Sequence, residues 1–328
     1  MKTTAIKTVL MLLITHLCFT NLWSTHALGA DISYTCLGDN HYKFKVVIYR
    51  DCSGGPPPAF TPRLSLISNS CNLQHDVPMV LGTGYPVLLD SMWTVCSSAP
   101  TSVCFAQYVY TTATTKLQSC SDWDIHVSTA PGRVSLANIA NINSQGLHAY
   151  LNNEDAVCGP EFCNASPQFK GSSSLTLCQN TAEQIQPGLI EIEGDSLVFS
   201  LISLRDSMGN TIAYQAPASS QNPVPSFPAM HINSQTGLVD IQPIQGGKYA
   251  FAIQVDEYRL GKYIGSVSRE YHIEVIWCGN TVSQAPIVSQ IHEAIRYFCP
   301  QNQYADTTSI TMTGNDLFVC TLDSISVS

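Results

Sequence analysis

Three carboxylates stand close together in Glu191-Ile192-Glu193-Gly194-Asp195, and a second acidic pair, Asp256-Glu257, follows later in the chain. Carboxylate oxygens are hard ligands, and Ca²⁺ takes about 6–8 oxygens at about 2.3–2.6 Å. Glu191, Glu193, Asp195, Asp256 and Glu257 are therefore the candidate calcium ligands, provided that their two turns meet at one end of a β-sandwich. Glu154 and Asp155 could join them from upstream. The competing reading is a solvated acidic turn in which Asp195 caps backbone amides. No cofactor other than calcium is expected.

A second group is Asp122-Trp123-Asp124 with His126 close behind. Alternate residues of a strand share a face, so the two aspartates could converge as an acid–base pair or beside a sugar-stacking ring. The plainer reading has Trp123 filling a core and the aspartates on the surface. None of the nine histidines lies in an HExxH pattern or a Ser/His/Asp arrangement. No glycine-rich phosphate loop follows a strand either. The sequence thus nominates no catalytic residue and reads as a non-enzyme.

Strands must position these acids. Leu197, Phe199 and Leu201 alternate after the first acidic turn, and Tyr249, Phe251, Ile253 and Val255 alternate before the second. Period-two alternation predicts strands with one buried face. Tyr271, Ile273, Val275 and Trp277 predict a last strand closed by Cys278, after a hairpin tip at Gly261. Thr236-Gly237 and Gly246-Gly247 mark turns, and the proline-bearing stretch 203–228 reads as a long loop. Upstream, Tyr42, Phe44, Val46 and Ile48 alternate on one face. Further strands are predicted at Leu64–Ile67, Tyr85–Leu89, Phe105–Thr112 and Ser135–Asn141. No amphipathic helix of three turns is present.

Compartment follows from the N-terminus. Lys2 and Lys7 precede an apolar run from Val9 to Trp23, broken at Thr15 and His16, with small residues at Thr25 and Ala27. This predicts a secretory signal peptide over 1–27. The run is too short and interrupted to cross about 30 Å of hydrocarbon, and no second long apolar run exists, so no integral membrane segment is expected. Removing the leader takes two lysines and no acid. That leaves 13 basic residues against 24 acidic ones and a formal charge of −11. Nucleic acid is a poor partner for such a surface.

Of thirteen cysteines, Cys18 lies in the leader, and the remaining even number in an exported chain predicts disulfides. Their pairing is open; Cys36 could bridge to Cys52 or to a neighbouring strand. Zinc is the rival, but Cys158 and Cys163 form no CxxC pair and no matching histidine spacing supports it. Asn164-Ala165-Ser166 matches a glycosylation acceptor.

The fold class is therefore all-β, as tandem β-sandwich domains with disulfides. Residues 28–153 form an N-terminal β-rich domain, 154–278 an immunoglobulin-type sandwich of roughly seven strands, and 279–328 a partial or small β unit. The second of these resembles the cadherin-like immunoglobulin-type repeats of bacterial surface proteins. The resemblance rests on Asn164 to Phe169, Glu191 to Leu201, the segment around Thr236-Gly237, the strand after Gly246-Gly247, and Val255-Asp256-Glu257. Such repeats carry an Asp-x-Asp-Gly-Asp turn; here Glu191 and Glu193 replace the first two aspartates. Asp31 to Gly38, Tyr49-Arg50-Asp51-Cys52, Cys120-Ser121-Asp122-Trp123, Val255 to Arg259 and Cys278-Gly279-Asn280 are similar to large secreted Bacteroidetes proteins associated with gliding motility and adhesion. Those proteins usually continue into further repeats and a sorting domain; residues 279–328 read either as a small β unit stapled by Cys299 and Cys320 or as a chain that stops within a domain. The resemblance implies a secreted or cell-surface adhesion or structural protein. Its implied partners are a cell-surface protein or glycan, or further copies of itself. The alternative is a carbohydrate-binding, lectin-like module or an accessory part of a larger secreted enzyme.

Overall fold

A computed structural model describes residues 27–51, 61–89, 105–129, 133–140, 145–154 and 163–278, and the backbone of four short strands beyond them. Residues 1–26 of the predicted leader, Asp155, Cys52, Cys96, Cys104, Cys158, Cys299 and Cys320 lie outside the described residues. The described part is all-β, with no helix among its residues.

The first half supplies β1 (Ala27–Cys36), β2 (His41–Asp51), β3 (Arg63–Ser68), β4 (Leu73–Leu81) and β5 (Val87–Leu89). After these come β6 (Phe105–Thr112), β7 (Thr115–Lys116), β8 (Trp123–Ser128) and β9 (Gly146–Leu151). The second half opens with β10 (Gln168–Phe169), β11 (Ser174–Cys178), β12 (Glu183–Ile185) and β13 (Leu189–Ile190). It continues through β14 (Ser196–Ile202), β15 (His231–Ile232) and β16 (Val239–Ile241) to the long hairpin of β17 (Gly247–Arg259) and β18 (Lys262–Ile276). Leu260 and Gly261 form the tip, as the glycine predicted. Beyond it, β19 (Ile287–Ile291) pairs with β22 (Ile310–Thr313), and β20 (Ile295–Tyr297) with β21 (Gln303–Ala305).

One sheet of thirteen strands organises the molecule. Its path β1–β2–β6–β4–β3–β8–β9 is antiparallel throughout, and both ends land on β18. Strand β17 covers one edge of β18 from Arg259↔Lys262 to Gly247↔Val275. A strand has only two edges, so β9, β1 and β11 must share the other. They follow one another along it at Gly265–Val267, Arg269–Glu270 and His272–Ile276. Strands from both sides of residue 153 thus belong to one sheet. Strand β14 extends that sheet beyond β17, and a separate small sheet runs β12–β16–β15.

The core explains the alternation. Tyr42, Phe44, Val46 and Ile48 are buried as predicted, in one cluster with Trp123, Ile125, Phe251, Ile253 and Ile273. Strand β2 was expected to bury one face only. Val47 and Tyr49 bury the other against Leu28, Phe105 and Val109. Ser135–Asn141 was expected to be a strand. Within 133–140 the chain makes only isolated bridges, because Asn138 is spent differently: its side chain donates to Ala250 O (2.6 Å) and Pro223 O (2.8 Å) and accepts from Ala250 N (3.2 Å). Strands β4 and β9 were not anticipated, and β8 was weighed only as an edge strand against a surface loop around Trp123; Pro78 breaks the strand pattern of β4.

Six cysteines pair as Cys36–Cys163, Cys71–Cys120 and Cys178–Cys278. The first fastens the end of β1 to the segment that opens the second half, and the third joins the end of β11 to the chain two residues beyond β18. A loop of 127 residues closed by Cys36–Cys163 is restrained, in the chain-entropy account, by about 4–5 kcal/mol.

Candidate functional site

The acidic turn sits at the far end of β14. Glu191 folds back over its own loop, and its carboxylate accepts N–H bonds from Glu193 (2.5 Å), Gly194 (2.7 Å) and Asp195 (3.0 Å). Gly194 has φ +81°, the left-handed conformation that lets those amides converge. Sequence reasoning gave the capping role to Asp195; Glu191 holds it.

Of the five candidate ligands, Glu191, Glu193, Asp195 and Glu257 come together, each with a carboxylate oxygen within 4.8 Å of the others'. Asp256 does not join them. Neighbours on a strand face opposite ways, so Asp256 turns to the other side of β17 and accepts from Gln254 Nε2 at 2.7 Å. Burial raises the Asp256 carboxyl, and the Gln254 bond opposes this. Glu154 is exposed and takes no part in the cluster.

The cluster contains its own cation. Arg259, at the end of β17, donates Nε to Asp195 Oδ1 (2.8 Å) and Nη2 to Asp195 Oδ2 (2.6 Å). The same Nη2 reaches Glu193 Oε2 (2.6 Å) and Asn164 Oδ1 (2.9 Å). Asn164 Nδ2 in turn donates to Glu257 Oε2 at 2.6 Å. Glu193 also accepts from Ala165 N at 3.1 Å. Four segments therefore meet here: the stretch beside Cys163, the acidic turn, the end of β17 and, through the Asn164–Tyr34 hydroxyl contact (3.4 Å), β1. Burial pushes Glu257 well above the usual carboxylate range; the Asn164 bond opposes this, and the carboxylates of Asp195, Glu193 and Glu191 add to it. Burial also raises Glu193, against the pull of Arg259, and Glu191, against its backbone bonds. Burial opposes the charge on Arg259, but Asp195 and Glu193 outweigh it and hold the guanidinium protonated.

These residues fit a calcium ion in kind, since every donor is oxygen and Glu257 Oε1 is buried without a partner. They do not fit one in space while Arg259 is in place, because its Nη2 already binds the oxygens that a metal would draw.

The second group resolves differently. Trp123 is fully buried in the core. Asp122 lies just before β8 and accepts from the hydroxyls of Ser68 (2.6 Å) and Ser70 (2.5 Å), which lower its carboxyl. Asp124 pairs with His148 Nε2 at 2.5 Å, and that bond lowers it too. His126 Nε2 meets Ser207 O at 2.9 Å. The two aspartates are thus held by different partners rather than converging. A groove of about 390 Å³ beside β14 is lined by Gln186, Pro187, Leu189, Leu197, Phe199, Gln235 and Thr236. None of these side chains can transfer a proton near neutral pH.

Sequence reasoning missed the buried charges of β18. Arg269 is 1% exposed and meets Asp31 Oδ2 at 3.1 Å. It also donates to the carbonyls of Gly171 (2.6 Å), Lys170 (2.9 Å) and Pro187 (3.2 Å) and lies over the rings of Phe169 and Tyr271. Its neighbour Glu270 pairs with Arg133 at 2.6 Å and accepts from Gln145 at 2.8 Å. The available signal was two adjacent charges in the middle of a 15-residue strand, between the small and apolar run Gly265-Ser266-Val267-Ser268 and Tyr271.

No protein-family model matches this chain, and neither a curated protein nor a solved structure matches it.

Proposed function

We propose that this chain is an exported, non-catalytic component of the cell surface, a disulfide-fastened β scaffold serving adhesion or structural support. The observation that carries the reading is how its reactive residues are spent. Six cysteines are consumed in three cross-links, and Arg133, Arg259 and Arg269 each tie together segments far apart in sequence. Disulfides persist in oxidising compartments, and a scaffold outside the cell must keep its shape without chaperones. The leader-like N-terminus and the formal charge of −11 support the same compartment. Residues 154–278 are read as a cadherin-like, immunoglobulin-type module. In support, Ile185, Val239 and Ile241 of the small sheet share one apolar cluster with Phe251, Ile253 and Ile273 of the large one. Its partner is a cell-surface protein or glycan, or a further copy of the chain.

The test is deletion of the gene in the source organism. Loss of attachment to surfaces or to neighbouring cells, with unchanged growth on soluble nutrients, is the expected result. Unchanged attachment together with loss of a secreted enzymatic activity contradicts the proposal.

Glycan binding is a second reading, favoured by one observation. Tyr150, Tyr263 and Tyr258 form a row of half-buried rings, with centroids 5.1 and 5.6 Å apart, next to the Asp124–His148 pair. Aromatic rings beside hydrogen-bonding groups suit sugars. Because β9 and β1 both need β18, the whole chain must be used on a glycan array. Reproducible binding that Tyr263→Ala abolishes favours this reading; a blank array removes it.

A further inference from the structure

We propose that Arg259 is the resident cation of the acidic turn, its guanidinium joining the stretch beside Cys163, the turn itself and the end of β17 where a divalent metal would otherwise be required. The geometry is that of a cation site already filled. One nitrogen, Nη2, gathers oxygens from Asn164, Glu193 and Asp195 at 2.9, 2.6 and 2.6 Å, and Nε engages the second oxygen of Asp195 at 2.8 Å. Paired N–H bonds to one carboxylate at such lengths are the strong, planar kind that arginine makes and lysine cannot. A calcium ion draws oxygens to about 2.3–2.6 Å, so ion and guanidinium compete for the same space.

The remaining acids are held in ways that suit this arrangement. Glu191 is turned inward on three amides of its own loop. Glu257 is screened from Arg259 by the Asn164 amide, which accepts from the arginine on one side and donates to the glutamate on the other. Only Glu257 Oε1 is left buried and unpartnered. The positive charge is therefore covalently supplied, and the junction between Cys163 and β17 assembles without metal. Removing the guanidinium while keeping the apolar stem of the side chain leaves four carboxylates and an amide oxygen around a vacated centre. Such a set is an oxygen-only site of the type that hard cations take.

The experiment is thermal unfolding of the full chain in EDTA and in about 10 mM CaCl₂, with NaCl matched for ionic strength. Wild type is expected to melt at the same temperature in all three. Arg259→Met is expected to melt lower in EDTA and to rise by about 3–10 °C in CaCl₂ alone, given a dissociation constant of order 10⁻⁴–10⁻³ M. If Arg259→Met does not fold in EDTA, recovery of its β-sheet circular dichroism in CaCl₂ but not in NaCl is the same result. Adding Glu257→Gln to that variant is expected to shrink the gain. A comparable calcium shift in wild type, or an Arg259→Met variant that ignores calcium in both readouts, overturns the proposal. These outcomes do not depend on where the protein works, so they leave the surface role to its own test.

Discussion

Arg269→Met is the sharpest perturbation of the shared sheet. Arg269 lies on β18 where β1 docks, with Asp31 as its direct cross-strand partner. The substitution removes three charge-assisted bonds to the carbonyls of Lys170, Gly171 and Pro187, each contributing about 1.5–3 kcal/mol. It also strands Asp31, which is 2% exposed. Removing one partner of a buried ion pair costs about 3–5 kcal/mol. Burial already raises the Asp31 carboxyl despite Arg269, so without the arginine it takes up a proton rather than remaining a bare charge. The methionine refills part of the volume between Phe169 and Tyr271. The expected net loss is therefore about 3–5 kcal/mol rather than the larger sum of parts. Urea unfolding with all disulfides oxidised measures it. Adding Asp31→Asn to Arg269→Met is expected to recover about 1–2 kcal/mol, because the carboxyl then needs no counter-charge while the three carbonyls stay unsatisfied. A loss below about 1 kcal/mol, or strict additivity of the two substitutions, would refute the claim that this pair holds the halves together.

Three further outcomes follow from the same structure. Pulled from its ends, the reduced chain should lengthen beyond the oxidised one by about 450 Å and 350 Å, at roughly 3.5 Å per residue, as the 127- and 100-residue loops of Cys36–Cys163 and Cys178–Cys278 are freed; equal extensions would mean those bridges are absent. Burial, with Lys248 and Arg133 nearby, lowers His272 from 6.5 to about 3. Between those values the unfolded chain binds the proton and the folded one does not, so His272 lets stability drain away as pH falls from about 6.5 towards 3 and costs nothing above that window. His272→Gln should flatten this part of the pH profile in urea melts by a few kcal/mol, and a profile unchanged by the substitution counts against the buried neutral imidazole. Gly237 holds φ +73° with the Phe199 ring 2.6 Å from where a Cβ would stand. Gly237→Ala is expected to destabilise by about 1–3 kcal/mol in the same assay, and a neutral effect would place that turn elsewhere.

The elements legible in the sequence were those with local causes. Alternation placed β2 and most of β14, β17 and β18, aromatic and β-branched content placed β6, the Leu260-Gly261 tip lies where Gly261 indicated, and the 203–228 stretch carries no named strand. Period two could also have separated Asp256 from Glu257, since adjacent strand residues cannot serve one site on one face. What local pattern could not reveal was pairing at a distance. Nothing near Asp31 indicates that Arg269 will stand across from it, and Tyr34 gives no hint of Ser166 and Asn164. Arg259 was visible as a residue of the Val255–Arg259 stretch. Its role appears only when the strand carries it back to the acidic turn, where the carboxylates meet a guanidinium before they meet a metal. The all-β class and the use of cysteines in disulfides were readable from composition; the ring that returns to β18 was not, because it is set by which edges remain free once β17 has taken one side.

The central claim is an exported scaffold fastened by disulfides, and protease shaving of intact source cells, with alkylation before and after reduction, tests it most directly. The account predicts that shaved peptides carry Cys36, Cys71, Cys120, Cys163, Cys178 and Cys278 blocked until reductant is added, linked as 36–163, 71–120 and 178–278. Recovery of the chain only after lysis, with those six thiols free, would contradict it.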